Sequence, residues 1–428
     1  MRKLVCALLL CLLAVGCRDV EPGPIAVQEP IEIVPVTAMP VAAATPAPGD
    51  TPALPTEEPT ASPTSVPTDT PEPTPMDDEA RLWAFIDTMT VEEKIGQLCM
   101  FGFSGTDSVS DEFASIMETY RIGNVILYGQ NIKRTDKDGG FARCKKLTDS
   151  VNSANSADIP LLISTDVEGG TVTRFHWKST LDSARTLGKK DNMDKARSEF
   201  AYIGQGLLSA GINVDLAPAL DVCKKPDDHF MGKRIISSNA DIVSDIGYAC
   251  IQGLHEGGVL SIVKHFPGHG ATKTDSHDAT PVVEKSLDAL RKYELVPFRD
   301  ALRNGADGVM VAHILYTAID EENVASQSEV FITDLLRDEY GFEGIVMSDD
   351  FRMAGIRKQR SLDKAAVRFI EAGGDLILCG ANHSYQQKIL DGLYAAVENG
   401  TITEERLNES VYRILKAKER ATDWVAVP

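Results

Sequence analysis

Eight apolar, β-rich runs alternating with amphipathic helical stretches from Glu79 onward, and polar residues gathered at the ends of five successive runs, predict an α/β chain folded as one (β/α)8 TIM barrel. The runs are 96–103, 122–129, 160–167, 212–220, 260–266, 308–314, 344–351 and 375–380. The helical segments 193–211 and 286–305, which lie between runs, each end at a glycine suited to a helix C-cap. Eight such units in a chain of this length fit a single closed barrel. In that architecture function sits at the C-terminal ends of the strands. Asp166 closes the third run and Asp221 follows the fourth; Lys264 and His265 close the fifth, His313 the sixth and Asp349 the seventh. Polar termini on five buried strands in succession imply a shared cavity. A doubly wound open sheet would also place ligands at strand ends, but no GxGxxG or Walker-type segment accompanies it.

The segment before the barrel has a different composition. Arg2 and Lys3 precede an apolar run from Leu4 to Val15, too short to span a bilayer, so residues 1–17 read as a secretion signal. Gly16-Cys17 followed by Arg18 and Asp19 resembles a bacterial lipobox, making Cys17 the expected lipidated N-terminus and membrane anchor; ordinary cleavage beside a chance cysteine is the alternative. Residues 18–78, rich in Pro, Thr, Ala and Glu, are expected to form a disordered tether giving reach into a cell envelope. The catalytic domain is then 79–424. Five cysteines fall in it, an odd number without CxxC spacing, which argues against a disulfide framework or a zinc site. A net charge of −20 argues against a nucleic-acid partner.

The densest chemistry is KHFPGHGATKTDSH, residues 264–277, where three histidines, a lysine and an aspartate surround a glycine-rich loop after an apolar strand. GIVMSDD, residues 344–350, ends another strand in two carboxylates. Together they suggest an acid/base group facing a nucleophile across a glycosidic bond. KHFPGHG followed by DSH, then SDD after a strand, resembles the bacterial β-N-acetylglucosaminidases of glycoside hydrolase family 3, and the likeness extends over essentially all of 80–420 through LLISTDVEGGTVTRF (161–175), GINVDLAPALDV (211–222) and ELVPF (294–298). The resemblance implies Asp349 as nucleophile, His277 as general acid/base and Asp275 as its partner, with Asp166, Arg174, Arg234, Lys264 and His265 holding the sugar. It implies an oligosaccharide substrate and no metal or organic cofactor. Ile235-Ile236 where the family commonly has Ser-Phe, Val324 where Pro is usual, and Thr171 where a basic residue is frequent bear on subsite recognition rather than on the reaction.

The residue types suit that chemistry. Retaining glycosidases usually place two carboxyl groups about 5 Å apart on either side of the anomeric carbon; here a histidine stands in for one, donating a proton in the first step and withdrawing one from water in the second. Asp275 would fix its tautomer and favour the imidazolium. Gly268 and Gly270 would let the loop move, bringing His277 in with substrate. Lys264 would keep Asp349 ionised, and strand alternation would turn Asp350 elsewhere, into structural hydrogen bonds. Spacing alone leaves open which aspartate attacks. It also leaves His265 and His269 as either ligands or loop braces, Lys264 as binder or interior ion pair, and Asp221 and His313 as supports; His255, in a helical stretch, reads as ordinary. Many glucoside-cleaving relatives take the acid/base from a domain after the barrel, whereas this chain ends at Pro428, which again points to His277. Two competing readings keep the same residues: a phosphorylase, in which phosphate attacks the intermediate, and an inactive lipid-anchored glycan-binding protein.

Overall fold

The computed structural model describes residues 77–428; the expected leader, Cys17 and tether residues 18–76 lie outside the described residues. Eight parallel strands form the barrel: β1 Cys99–Gly102, β2 Asn124–Ile126, β3 Leu162–Thr165, β4 Val214–Asp215, β5 Leu260–Phe266, β6 Gly308–Val311, β7 Ile345–Ser348 and β8 Ile377–Cys379. Each lies within one of the eight predicted runs. The ladder runs β8-β1-β2-β3-β4-β5-β6-β7 with every pairing parallel. The Met347–Leu376 bridge closes the circle, supported by Phe351 N–H donating to Leu378 O at 2.9 Å. Helices pack outside the strands, which are therefore buried on both faces; this is why the runs read as nearly continuous apolar sequence rather than alternation.

Local signals set the helix ends. Thr90 and Glu93 form a reciprocal capping box on helix 91–97, and Ser286 and Thr403 cap helices 287–291 and 404–421. Gly211 and Gly305, φ +76° and +101°, take the left-handed conformation after helices 193–209 and 296–303, as their positions predict.

Both domain limits shift outward. Helix Asp78–Thr88 starts before Glu79 because Asp77 caps it, accepting from Ala80 N–H at 2.7 Å. At the other end Ala426 is fully buried, its carbonyl accepting from Arg81 at 2.8 Å and its N–H donating to Glu419 at 2.9 Å. Trp83 stacks on Tyr412 at 4.8 Å and Phe85 meets Trp424 edge-on at 5.5 Å, so the first and last segments of the domain hold each other. Helix 404–421 also closes the N-terminal end of the barrel: buried Lys418 donates to Gln97, Gly123 O and Pro160 O at 2.6, 2.8 and 2.7 Å. All five described cysteines are buried, behaving as small apolar residues. Among the described residues no helix is long and apolar enough to cross a membrane.

Candidate active site

A cavity of about 200 Å³ opens at the C-terminal mouth of the barrel, on the scale of one pyranose ring. Its lining brings together all eight residues singled out from the sequence: Asp166, Arg174, Arg234, Lys264, His265, Asp275, His277 and Asp349.

The floor is an ion-pair lattice. Lys264, almost wholly buried at the end of β5, donates to Asp166 Oδ1 at 2.7 Å and lies 2.8 Å from Glu168 Oε1. Arg174 donates to the other oxygen of Asp166 at 2.7 Å, and Arg234 forms a two-pronged pair with Glu168, both bonds 2.8 Å. Burial works to raise the Asp166 carboxyl, but Lys264 and Arg174 outweigh it and hold it at about 2. Glu168 is likewise held well below its ordinary value against burial by Lys264 and Arg234. Two carboxylates and three cations, paired through these bonds with one positive charge in excess, form a polar surface suited to sugar hydroxyls.

Sequence reasoning missed Glu168. Its signal was spacing: Glu168 lies two residues after Asp166, and in extended chain such residues share a face. Lys264 and His265 depart from the same rule, since adjacent strand residues should diverge. The β5–β6 register shifts between Val263 and Phe266, and that irregularity lets both side chains line the cavity.

His265 and His269 are fixed by a buried carboxylate. Asp221 accepts from His265 Nδ1 at 2.8 Å and from His269 N–H, so His265 turns Nε2 toward Arg234, 3.3 Å away. His265 therefore faces the cavity while Asp221 braces it. The His269 ring pairs with Ser276 Oγ at 2.7 Å, and burial lowers it to about 4. An unfolded histidine titrates near 6.5, so His269 binds its proton less tightly when folded. Its stabilising contribution is full above about pH 6.5 and is lost as pH falls toward 4. Replacing it by His269→Gln should flatten that slope: the wild type is expected to lose roughly 2–3 kcal/mol more than the variant between pH 7 and pH 4.5 in urea unfolding. Equal losses would assign the acid sensitivity elsewhere.

Asp349 follows β7. Its Oδ1 accepts from Asp350 N–H at 2.8 Å, and buried His313 reaches its carbonyl at 3.2 Å while pairing with Ser326 at 2.7 Å. Burial opposes ionisation, yet the His265 and His313 rings and the Asp350 N–H hold the Asp349 carboxyl below the ordinary range. This corrects the expectation that Lys264 does so, since Lys264 is committed to Asp166 and Glu168. Asp350 also lines the cavity, because β7 has ended at Ser348 and alternation no longer applies. It is nonetheless occupied structurally, accepting from Tyr128 OH at 2.7 Å and from the Arg352 guanidinium at 2.7 and 2.9 Å.

His277 and Asp275 stand at the rim. Asp275 Oδ1 accepts from His277 N–H at 2.9 Å and pairs with its Nδ1 at 2.8 Å, leaving Nε2 free to face a ligand. The His277 side chain is 70% exposed and that of Asp275 38%. Between them Ser276 is buried, held by His269 and by Gly355 N–H donating to its carbonyl at 3.0 Å. Lys358 and Thr280 add bonds to Asp278 O and Gly355 O at 2.8 and 2.9 Å. In this arrangement the pair already shares a cavity with Asp349. A Cβ at Gly270 would meet Val222 O at 2.1 Å, so this glycine serves close approach, whereas Gly268, φ +131°, needs its conformational freedom.

Comparison with known proteins identifies the family. Residues 90–417 match the glycosyl hydrolase family 3 N-terminal domain. β-Hexosaminidase A of Pseudoalteromonas piscicida is 29% identical over 374 residues, 78% of this chain and 61% of that protein. β-Hexosaminidase LpqI of Mycobacterium tuberculosis is 30% identical over 77% of this chain and 83% of its own length. A solved family 3 β-N-acetylglucosaminidase from Paenibacillus sp. superposes with a TM-score of 0.73 at 37% identity, covering 78% of this chain and 63% of that one. The chain thus spans about three-fifths of the length of two of these relatives and most of the third.

Proposed function

The chain belongs to glycosyl hydrolase family 3, and on that footing we propose that it is a retaining β-N-acetylhexosaminidase, removing terminal non-reducing N-acetylglucosamine through a covalent glycosyl-aspartate. The observation that carries this reading is one cavity of pyranose size with a carboxylate held ionised on its wall, Asp349, and a carboxylate-oriented imidazole, His277, on its rim.

In the proposed reaction Asp349 attacks the anomeric carbon while His277 Nε2 gives its proton to the leaving oxygen; Asp275 supports the resulting charge changes through Nδ1. Water then attacks the glycosyl-enzyme, and His277 takes its proton back. Asp166, Arg174, Arg234, Lys264 and His265 hold the ring hydroxyls, and Glu168 keeps Lys264 and Arg234 in place. The substrates we propose are peptidoglycan-derived or related oligosaccharides, met in the cell envelope by a chain anchored to the membrane through a lipidated Cys17.

The test is turnover of 4-nitrophenyl β-N-acetylglucosaminide with and without phosphate, following product anomers by NMR. Release of the β-anomer first, independent of phosphate, is expected. Phosphate-dependent formation of sugar 1-phosphate would make the chain a phosphorylase, and glycan binding without turnover would make it a binding protein.

A further inference from the structure

One wall of the active-site cavity takes no part in the proposed reaction. Asp349 follows β7, and the Asp166–Glu168–Lys264 lattice spans the mouth from β3 to β5; Arg352 lies beyond Asp349, against the ends of β8 and β2. A Cβ on Gly380 would fall 2.2 Å from Arg352 Cζ, and the Tyr128 ring centre is 5.0 Å from the same atom, so a bare stretch of backbone and an aromatic ring hold the guanidinium in place. Its Nε and Nη2 both donate to Asp350 Oδ2, at 2.9 and 2.7 Å, and Tyr128 OH donates to the same oxygen at 2.7 Å. Among the described residues Nη1 makes no hydrogen bond, and the side chain, 34% exposed, lines the cavity.

A donor held in place but uncommitted matches an acceptor on the ligand, and the surrounding charge decides which kind. Five carboxylates and, histidines aside, four cations line the cavity. Arg352 is itself paired with Asp350, so the wall offers direction rather than free charge. A neutral carbonyl fits it, whereas a further carboxylate would meet an excess of negative charge. Buried Leu378 and Met353 line the cavity with Arg352 and suit a methyl group. A carbonyl joined to a methyl is an acetyl group.

The reaction sets which part of the sugar arrives there. With Asp349 on C1 and the lattice on the remote hydroxyls, the two neighbours of C1, the ring oxygen and C2, turn one toward β8 and the other toward β6. The transition state spreads positive charge over C1 and the ring oxygen. A guanidinium beside the ring oxygen would raise the barrier; beside C2 it opposes nothing and can bind a substituent. We propose that Arg352 Nη1 donates to the carbonyl of the 2-acetamido group, with Leu378 and Met353 against its methyl, making Arg352 the residue that selects 2-acetamido sugars over their 2-hydroxyl counterparts. This rests on the N-acetylglucosaminidase reading and deepens it.

The test compares 4-nitrophenyl β-N-acetylglucosaminide with its N-thioacetyl analogue, whose sulfur is a poor acceptor, and with 4-nitrophenyl β-glucoside, which has no carbonyl. A hydrogen bond from a charged donor contributes roughly 10- to 100-fold, so the wild type should favour the acetamide over the thioacetamide by about that factor in kcat/KM. Arg352→Met should erase the preference, and should lose about 10- to 100-fold more kcat/KM on the acetamide than on the glucoside. Loosening of Asp350 in the variant falls on all three substrates alike and cancels from these ratios. Equal kcat/KM for the acetamide and the thioacetamide in the wild type, a result that needs no variant, overturns the proposal. So does a preference that survives Arg352→Met, or equal losses on the acetamide and the glucoside. Failure of the wild type to cleave the acetamide would instead overturn the enzymatic reading.

Discussion

Asp349→Asn should reduce kcat on 4-nitrophenyl β-N-acetylglucosaminide by roughly 10⁴- to 10⁶-fold, the range seen when a hydrolase loses its nucleophile or the group that orients its base. That corresponds to about 5–8 kcal/mol of transition-state stabilisation. The asparagine keeps the shape and the Oδ1 that accepts from Asp350 N–H, so folding should change by no more than about 1 kcal/mol. What it lacks is the charge that forms a bond to the anomeric carbon. In the wild type a 2-deoxy-2-fluoro glycoside with a good leaving group should label the peptide containing Asp349; with Asp349→Ala, azide should restore turnover and give the glycosyl azide of inverted configuration. Asp350→Asn separates the neighbours. Asp350 is tied to Tyr128 and Arg352, so its loss should loosen that wall and raise KM while trapping at 349 persists. A label on Asp350, or Asp349→Asn with activity near that of the wild type, would sink the assignment.

The barrel was legible because burial on both faces leaves an unmistakable record: each observed strand falls inside an apolar run, and the C-cap glycines 211 and 305 sit where the helices stop. The candidate site was legible to the degree that its residues end those strands or belong to the histidine loop. What the sequence concealed lies where pairings cross the barrel mouth. Nothing in the spacing of Tyr128, Asp350 and Arg352 announces that an aromatic hydroxyl and a guanidinium share one carboxylate, because Tyr128 and Asp350 stand 222 positions apart. Glu168 was readable in principle from its separation of two from Asp166, but its value comes from joining Lys264 and Arg234, which only the closed barrel brings together. Alternation misled where β7 ends before Asp349, since Asp350 then lines the cavity; the shifted register in β5, by contrast, lets the adjacent candidates Lys264 and His265 share it. A glycine-rich sequence is compatible equally with motion and with close backbone approach, and Gly270 serves the second.

His277→Ala tests the other half of the chemistry, and its signature is a dependence on the leaving group rather than a uniform loss. With N,N′-diacetylchitobiose the departing oxygen is strongly basic and must be protonated as the bond breaks, so the variant should lose roughly 10²- to 10⁴-fold in kcat/KM, the usual contribution of a positioned general acid. With a 4-nitrophenyl leaving group the oxygen departs with little help, and the same step should lose far less. Water attack still lacks its base, so the glycosyl-enzyme should accumulate, visible as a burst of nitrophenol and as added mass on the intact protein. Asp275→Asn keeps the ring and an acceptor beside Nδ1 but removes the carboxylate that accepts from both the His277 ring and its N–H; about 10-fold to 100-fold lower kcat is expected, in the same pattern but weaker. The 70% exposure of the His277 side chain is what makes this informative for mechanism: a residue so open to solvent contributes little to packing, so stability should be unchanged and any loss is chemical. Equal losses for both leaving groups, or no burst, would mean that the proton comes from elsewhere on the cavity rim.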